Sequence, residues 1–281
     1  MAYLPLKSVT LPSASQRLYD GWLEALEARL AAPDADWYRI TRDLLFEIWY
    51  PGLTDYDALV ADPATPVATR AALLCLDPHN VTLEPEYYAD VDPERYARVK
   101  PLHWLWQSFD RSPLGGGNVH LGVGFRRVLA QHLFGRVGRN FKCFHFVEFS
   151  YGYNLEVGDD CVVHRHVLLD DRGGITLGNR VSISDYANIY SHTHSIVDQK
   201  DVTNARTVLE DDVRITYHAT VLAGVQVGRN AMVGASAVAT KNVRPYHVNV
   251  GIPAKSIRVK PNAPHEAYVT ERVAQRQNAE S

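Results

Sequence analysis

A chain of 281 residues with 46% hydrophobic and 10% aromatic residues carries enough apolar content for one large domain or two modest ones, and this composition excludes disorder as the default. Its 29 Lys and Arg stand against 32 Asp and Glu, so no global electrostatic case exists for nucleic acid or an anionic membrane as partner. Three cysteines, Cys75, Cys143 and Cys161, form an odd set without CxxC spacing, which excludes a disulfide framework and a structural zinc site and makes the reducing cytoplasm the expected setting.

The first residues, Met1 to Lys7, lack a basic region followed by an apolar core, and no stretch approaches the roughly 18 apolar residues of a membrane span, so a soluble, unprocessed protein is expected. Leu18, Trp22, Leu26 and Leu30 recur at every fourth position behind Ser13 and Ser15 as caps, and Ile40, Leu44, Leu45 and Ile48 repeat the pattern before Pro51 stops it. Both stretches predict amphipathic helices. From Pro78 to Gly117 the chain is rich in Pro, Asp and aromatics, including Tyr87, Tyr88, Trp104 and Trp106, and predicts an irregular segment packed onto a larger body. The expected role of its aromatic-rich part, Pro78 to Phe109, is to cover the open end of a β structure, with shaping the active site as the alternative. Beyond the boundary at Gly115-Gly116-Gly117, the spacing of Phe125, Val128, Leu129, His132 and Leu133 predicts a short helix closed at Gly135 by a positive φ. The chain thus divides into a helical extension (1–117), a linking helix (118–136), a β domain (137–260) and a polar tail (261–281).

From Val137 onward the periodicity changes. Written in sixes from Leu209, the chain reads LEDDVR, ITYHAT, VLAGVQ, VGRNAM, VGASAV, ATKNVR. The first position holds Leu209, Ile215, Val221, Val227, Val233 and Ala239, and the fifth holds Val213, Ala219, Val225, Ala231, Ala237 and Val243. A helix needs apolar spacing near 3.6 and a simple strand needs two, so a period of six fits neither. It fits a chain that turns a corner every six residues and stacks short strands as a prism. A β-sandwich is the weaker alternative, because its turns fall roughly eight to twelve residues apart. The same phase appears at Leu177, Ile183 and Ile189 and at Val157, Val163 and Leu169; the step from Leu169 to Leu177 is eight, which predicts a two-residue bulge at Gly173-Gly174. Ser195 to Thr207 keeps no phase and predicts a polar loop thrown out from one corner.

In these repeats the chain resembles the hexapeptide-repeat acyltransferases, and within them the maltose and galactoside O-acetyltransferases. The markers are Leu133-Phe-Gly-Arg-Val-Gly-Arg-Asn140, Tyr151-Gly-Tyr-Asn-Leu155, Asp171-Arg-Gly-Gly-Ile-Thr-Leu-Gly178, Ile189-Tyr-Ser-His-Thr-His194, Thr240-Lys-Asn-Val-Arg-Pro245 and Gly251-Ile-Pro-Ala-Lys-Ser-Ile-Arg258. The resemblance spans about Phe125 to Lys260 and leaves out the extension. It implies a mainly β fold, a left-handed parallel β-helix behind an N-terminal helical extension, and a homotrimer whose sites lie between neighbouring prisms with CoA along the cleft.

Acyl transfer from a thioester to an alcohol needs one base to take the hydroxyl proton, and histidine suits that role near neutral pH. By its motif position the resemblance makes His194 the catalytic base; His192 is the weaker candidate. It assigns Asp171 to the acceptor site and aligns His164 with a position where the family often has asparagine, so the acceptor pocket is the expected point of departure. Arg214 stands where the family tends to carry tryptophan. Residues Ala239 to Lys260 hold Lys241, Arg244, Lys255, Arg258 and Lys260 and no Asp or Glu, a local basic segment suited to a polyanion. By resemblance, Lys241, Lys255 and Arg258 would meet the nucleotide end of CoA, and Tyr217, Ala235 and Thr240 its pantetheine arm. Cys161, at a fifth position, is a packing residue rather than an acyl carrier. The expected function is transfer of an acetyl group from acetyl-CoA to a hydroxyl of a sugar-like acceptor, with no metal required. The rivals are N-acylation of an amino sugar, a zinc enzyme like the γ-class carbonic anhydrases built on pairs such as His164/His166 and His192/His194, and a non-catalytic trimeric scaffold.

Overall fold

The period of six becomes three parallel sheets wrapped around one interior. The computed structural model describes residues 9–115, 117–198 and 200–268, so most of the expected polar tail lies outside the described residues. One face stacks Arg136–Val137, Leu155–Val157, Ile175–Leu177, Thr207–Leu209 and Gln226–Val227. The second stacks Lys142–Cys143, Val162–Val163, Ser182–Ile183, Arg214–Ile215 and Met232–Val233, then His247–Val250 and its antiparallel partner Lys255–Val259. The third stacks Glu148–Phe149, Leu168–Asp170, Asn188–Tyr190, Thr220–Val221 and Val238–Ala239. The result is a parallel β-solenoid. Each coil hydrogen-bonds the next, as in Val162 N–H donating to Val181 O at 2.9 Å and Ser182 N–H to Val213 O at 3.0 Å.

The two repeat positions fill the interior. Ile183, Ile189, Leu209, Ile215, Val221, Val227 and Val233 are wholly buried, as are Ala187, Val213, Ala219, Ala231 and Ala237. Cys161 is buried among them, and burial pushes its thiol up to about 11, which suits packing and not nucleophilic chemistry. Turning the chain demands a left-handed residue at the corner. Among the described residues eleven non-glycine residues take it, from Asn140 to Tyr246, with φ between 55° and 65°. Several are aromatic, where this conformation is unfavourable. Ring stacking along the second corner offsets it: Phe146 on His166 (5.1 Å), His166 on Tyr186 (4.8 Å) and Tyr186 on His218 (4.9 Å).

The third corner, between the third and first faces, is wider. The bulge at Gly173-Gly174 is present, with Gly174 at φ +94° and a Cβ on Gly173 falling 2.2 Å from Ser191 O. The coil above carries the same eight-residue step from Phe149 to Val157, which the repeat reading passed over because Phe149 departs from the aliphatic pattern. These widened corners stack, and the phase-free stretch leaves from the same corner one coil further on.

Among the described residues six helices precede the solenoid: α1 (Ser13–Leu30), α2 (Trp37–Trp49), α3 (Tyr56–Ala61), α4 (Val67–Leu74), α5 (Pro93–Arg111) and α6 (Val119–Leu133). Two expectations need correction. The segment expected to be irregular contains the 19-residue α5. Asp92 caps it through Glu94 N–H and Arg95 N–H, and Pro93 occupies the first turn, where a missing N–H costs nothing. Gly135 closes α6 without a positive φ; it is needed because a Cβ there would lie 2.9 Å from Tyr153 O. In addition Ser13 is the first residue of α1, and the preceding Pro12 makes no side-chain cap.

Helices α5 and α6 cover the first coil. Trp106 Nε1 donates to Val147 O at 2.9 Å, Phe109 stacks on Phe125 at 3.7 Å, and Arg126, buried against Asp110, also donates to Cys143 O at 3.3 Å. One hydrophobic cluster runs from Leu26 to Val243, so the helices and the solenoid share a core. No helix among the described residues is long and apolar enough to cross a membrane.

Candidate active site

The widened third corner holds the motif that ends in His192 and His194. After Asn188–Tyr190 the chain leaves the solenoid as an antiparallel hairpin, His192–His194 pairing with Val202–Asn204, with His192 opposite Asn204 and His194 opposite Val202. The predicted loop is therefore a hairpin whose outgoing strand presents both histidines. Ser191 ties its base to the coil above: Gly173 N–H donates to Ser191 Oγ at 2.8 Å, and Ser191 Oγ–H donates to Asp170 O. Ala205 N–H closes the base on Ser191 O at 2.8 Å.

His194 is exposed, with its ring 5.3 Å from that of His192 and nearly perpendicular to it. His192 is held more tightly. Its Nδ1 faces the Asp170 carboxylate, and Asp170 also accepts from Ser150 Oγ–H at 2.8 Å. A carboxylate only accepts, so Nδ1 of His192 carries the proton and Nε2 remains for a ligand. Asp170 is 3% exposed and comes from the strand directly above, in register with Tyr190.

Asp171 behaves otherwise than expected for an acceptor-site carboxylate. It is fully buried, and its two oxygens accept from Tyr151 N–H at 2.7 Å and Asn154 N–H at 3.2 Å, so it shapes the widened corner above. Burial raises its pKa to about 6 against the opposing pull of those backbone donors. The carboxylate that reaches the histidines is its neighbour Asp170.

His164 follows Val163 at the second corner, not the third. It is half-buried, stacked on Phe144 at 5.0 Å, and burial pulls its pKa down against the opposing charge of Asp185. Tyr217, half exposed and edge-on to His218, and exposed Ala235 lie on that same second corner. Thr240 and Lys241, both exposed, follow the third-face strand Val238–Ala239 and so lie at the third corner. Lys255 and Arg258 are exposed on the antiparallel strand at the end of the second sheet. A single chain thus divides the expected residues between two corners and an end hairpin. Among the described residues no group of three or more His, Cys, Asp or Glu is placed to hold a metal ion.

Sequence reasoning missed one participant altogether. Asp90, just ahead of α5, reaches the third corner and accepts from Arg172, Tyr151 and Asn204. Arg172, whose side chain is 7% exposed, lies over the Tyr88 ring at 4.3 Å. No local signal marks Asp90, since its partners follow by 61 to 114 residues.

Comparison with known proteins agrees with this architecture. No family model matches the chain. Galactoside O-acetyltransferase of Escherichia coli K12 is 27% identical over 137 residues, covering 47% of this chain and 68% of that protein. A maltose O-acetyltransferase from Clostridium difficile 630 superposes with a TM-score of 0.54 at 23% identity, covering 63% of this chain and 92% of the other. A hexapeptide-repeat acetyltransferase from Vibrio cholerae O1 biovar eltor, complexed with acetyl coenzyme A, superposes with a TM-score of 0.53 at 21% identity, covering 66% of this chain and all of the other. Over seven further curated proteins named as acetyltransferases or putative acetyltransferases, the chain spans between 22% and 74% of their length. In fold and in sequence the chain is a relative of the hexapeptide-repeat acetyltransferases, a class of CoA-dependent acyltransferases. The similarity takes in a galactoside O-acetyltransferase in sequence and a maltose O-acetyltransferase in fold.

Proposed function

We propose that the protein transfers an acetyl group from acetyl-CoA to a hydroxyl of a sugar or sugar-like acceptor, with His194 as general base. The observation that carries this reading is the histidine hairpin, which holds an exposed imidazole at the third corner on a base tied to the coil above. His194 takes the proton of the acceptor hydroxyl as the oxygen attacks the thioester carbonyl. The tetrahedral intermediate then expels the CoA thiolate, which recovers a proton from the imidazolium. Proton transfer by a placed histidine is worth on the order of 10² to 10⁴ in rate. The exposed cations Lys241, Lys255 and Arg258 suit the CoA phosphates, and Tyr217, Ala235 and Thr240 its pantetheine arm.

The division of these residues between two corners supports a trimer. A second copy that brings its second corner beside this chain's third corner would join His164, Tyr217 and Ala235 to His194, Thr240 and Lys241 in one cleft. The hairpin tip favours burial against such a copy, because Ile196 and Val197 are 102% and 91% exposed in the single chain. Asp171 supports the acceptor side indirectly by fixing the corner, and the cytoplasm, which supplies acetyl-CoA, is the proposed setting. The test is product analysis with acetyl-CoA and a panel of sugars and amino sugars. An ester product supports the proposal, an amide product replaces it with N-acylation, and the absence of any thiol release across the panel returns the chain to a scaffold role.

A further inference from the structure

The histidine hairpin is anchored at its root by groups of its own solenoid, but one anchor comes from outside. Asp90 belongs to the stretch between the 3-10 turn Glu84–Tyr87 and α5, in the part of the chain that the family resemblance leaves out. Its carboxylate accepts from Tyr151 Oη–H at 3.0 Å, from Arg172 through Nε at 3.1 Å and Nη2 at 2.6 Å, and from Asn204 Nδ2–H at 2.8 Å. These three partners sit on three successive coils of the third corner. Asn204 is the last residue of the returning hairpin strand and stands opposite His192 in the register. Arg172 is immobilised in turn by the Tyr88 ring, and Asp92 N–H donates to Tyr153 Oη at 3.1 Å, so the stretch is fastened on both sides of Asp90. Burial would push the Asp90 carboxyl up; the hydrogen bonds from Arg172, Asn204 and Tyr151 and the Arg172 charge outweigh it and hold the group at about 2.

We propose that Asp90 is a positioning residue: by holding Asn204 it fixes the hairpin that carries His192 and His194, so that the N-terminal extension sets the geometry of the catalytic histidines. The physical reason is leverage. A two-stranded hairpin on its own is marginally stable in water, and its histidines are only as well placed as its weaker strand. The outgoing strand is tied down through Ser191 and through His192 on Asp170. Asn204 is exposed at the end of the returning strand, beside Ala205, whose N–H closes on Ser191 O. A charged acceptor makes its hydrogen bond one of the stronger kind. The extension thus does more than cover the open end of the solenoid.

The inference rests on the proposed acyl-transfer reading only for its kinetic consequence, and amide hydrogen exchange tests it independently. In Asp90→Ala, exchange across residues 191–205 should quicken about tenfold or more, the effect of losing hydrogen bonds to a charged group. Exchange in the solenoid strand Asn188–Tyr190 should stay unchanged. With a working acceptor, kcat should fall about tenfold while KM for acetyl-CoA stays within about twofold, because the placement of the base and not donor binding is disturbed. Asn204→Ala removes the same link from the exposed side without disturbing Arg172, and serves if Asp90→Ala fails to fold. The double variant should be no worse than the poorer single one. Unchanged exchange over 191–205 in Asn204→Ala overturns the proposal even if His194 proves essential. Faster exchange in a protein that transfers no acyl group would keep the clamp and remove the acyl-transfer reading instead.

Discussion

Replacing Asp171 by asparagine should change how stability depends on pH, by an amount that follows from its burial. The folded carboxyl is held near 6, against 3.8 for the ordinary side chain. Between those values the folded chain keeps a proton that the unfolded chain has released. The stability this contributes is present below the unfolded value and is lost as pH rises through the folded one. At 1.36 kcal/mol per pKa unit, the wild type should weaken relative to Asp171→Asn by about 2 kcal/mol between about pH 4.5 and about pH 7. The variant has its own fixed cost, because one amide oxygen cannot replace two carboxylate oxygens on Tyr151 N–H and Asn154 N–H. That cost shifts the whole curve and leaves its slope alone. Urea unfolding of both proteins, followed by circular dichroism at several pH values across this range, gives the difference directly. A stability difference flat to within about 0.5 kcal/mol would refute the assignment of Asp171 as a buried corner carboxyl.

Breaking the cap should be costly in a different way. Arg126→Met leaves the Asp110 carboxylate buried with only Phe146 N–H as partner, and should lower stability by about 3 to 5 kcal/mol in denaturant unfolding; a loss below about 1 kcal/mol would contradict the role of that pair in joining α5 and α6 to the first coil. Charge reversal at the end hairpin, Lys255→Glu with Arg258→Glu, should raise KM for acetyl-CoA about tenfold or more with little change in kcat, and the effect should shrink as salt is added. An unchanged KM at low ionic strength would remove the hairpin from the donor site.

The solenoid was legible because its constraint is local and repeated: one aliphatic residue and one small residue every six positions, as at Ile215 and Ala219 or Val233 and Ala237. The histidine hairpin was legible as a loss of phase, although its strands were not, since Val202-Thr203-Asn204 carries no apolar alternation. Helix α5 was hidden by its prolines. Pro93 reads as a breaker until Asp92 is recognised as its cap, and Pro101 lies within the helix. The contact of Asp170 with His192 was not legible, because motif position names a place in the chain and not the direction of a side chain. Asp90 was beyond reach for a further reason: its three partners are spread over Tyr151 to Asn204, and only the stacking of coils brings them together.

The most direct test of the central claim is the rate of thiol release from acetyl-CoA, with a working acceptor, for His194→Ala and His192→Ala side by side. His194→Ala should lose on the order of 10² to 10⁴ in kcat with KM for acetyl-CoA unchanged. His192→Ala, which removes the neighbour held by Asp170, should lose less. Activity retained within about threefold in His194→Ala, together with its collapse in His192→Ala, would contradict the account and make the imidazole paired with Asp170 the base.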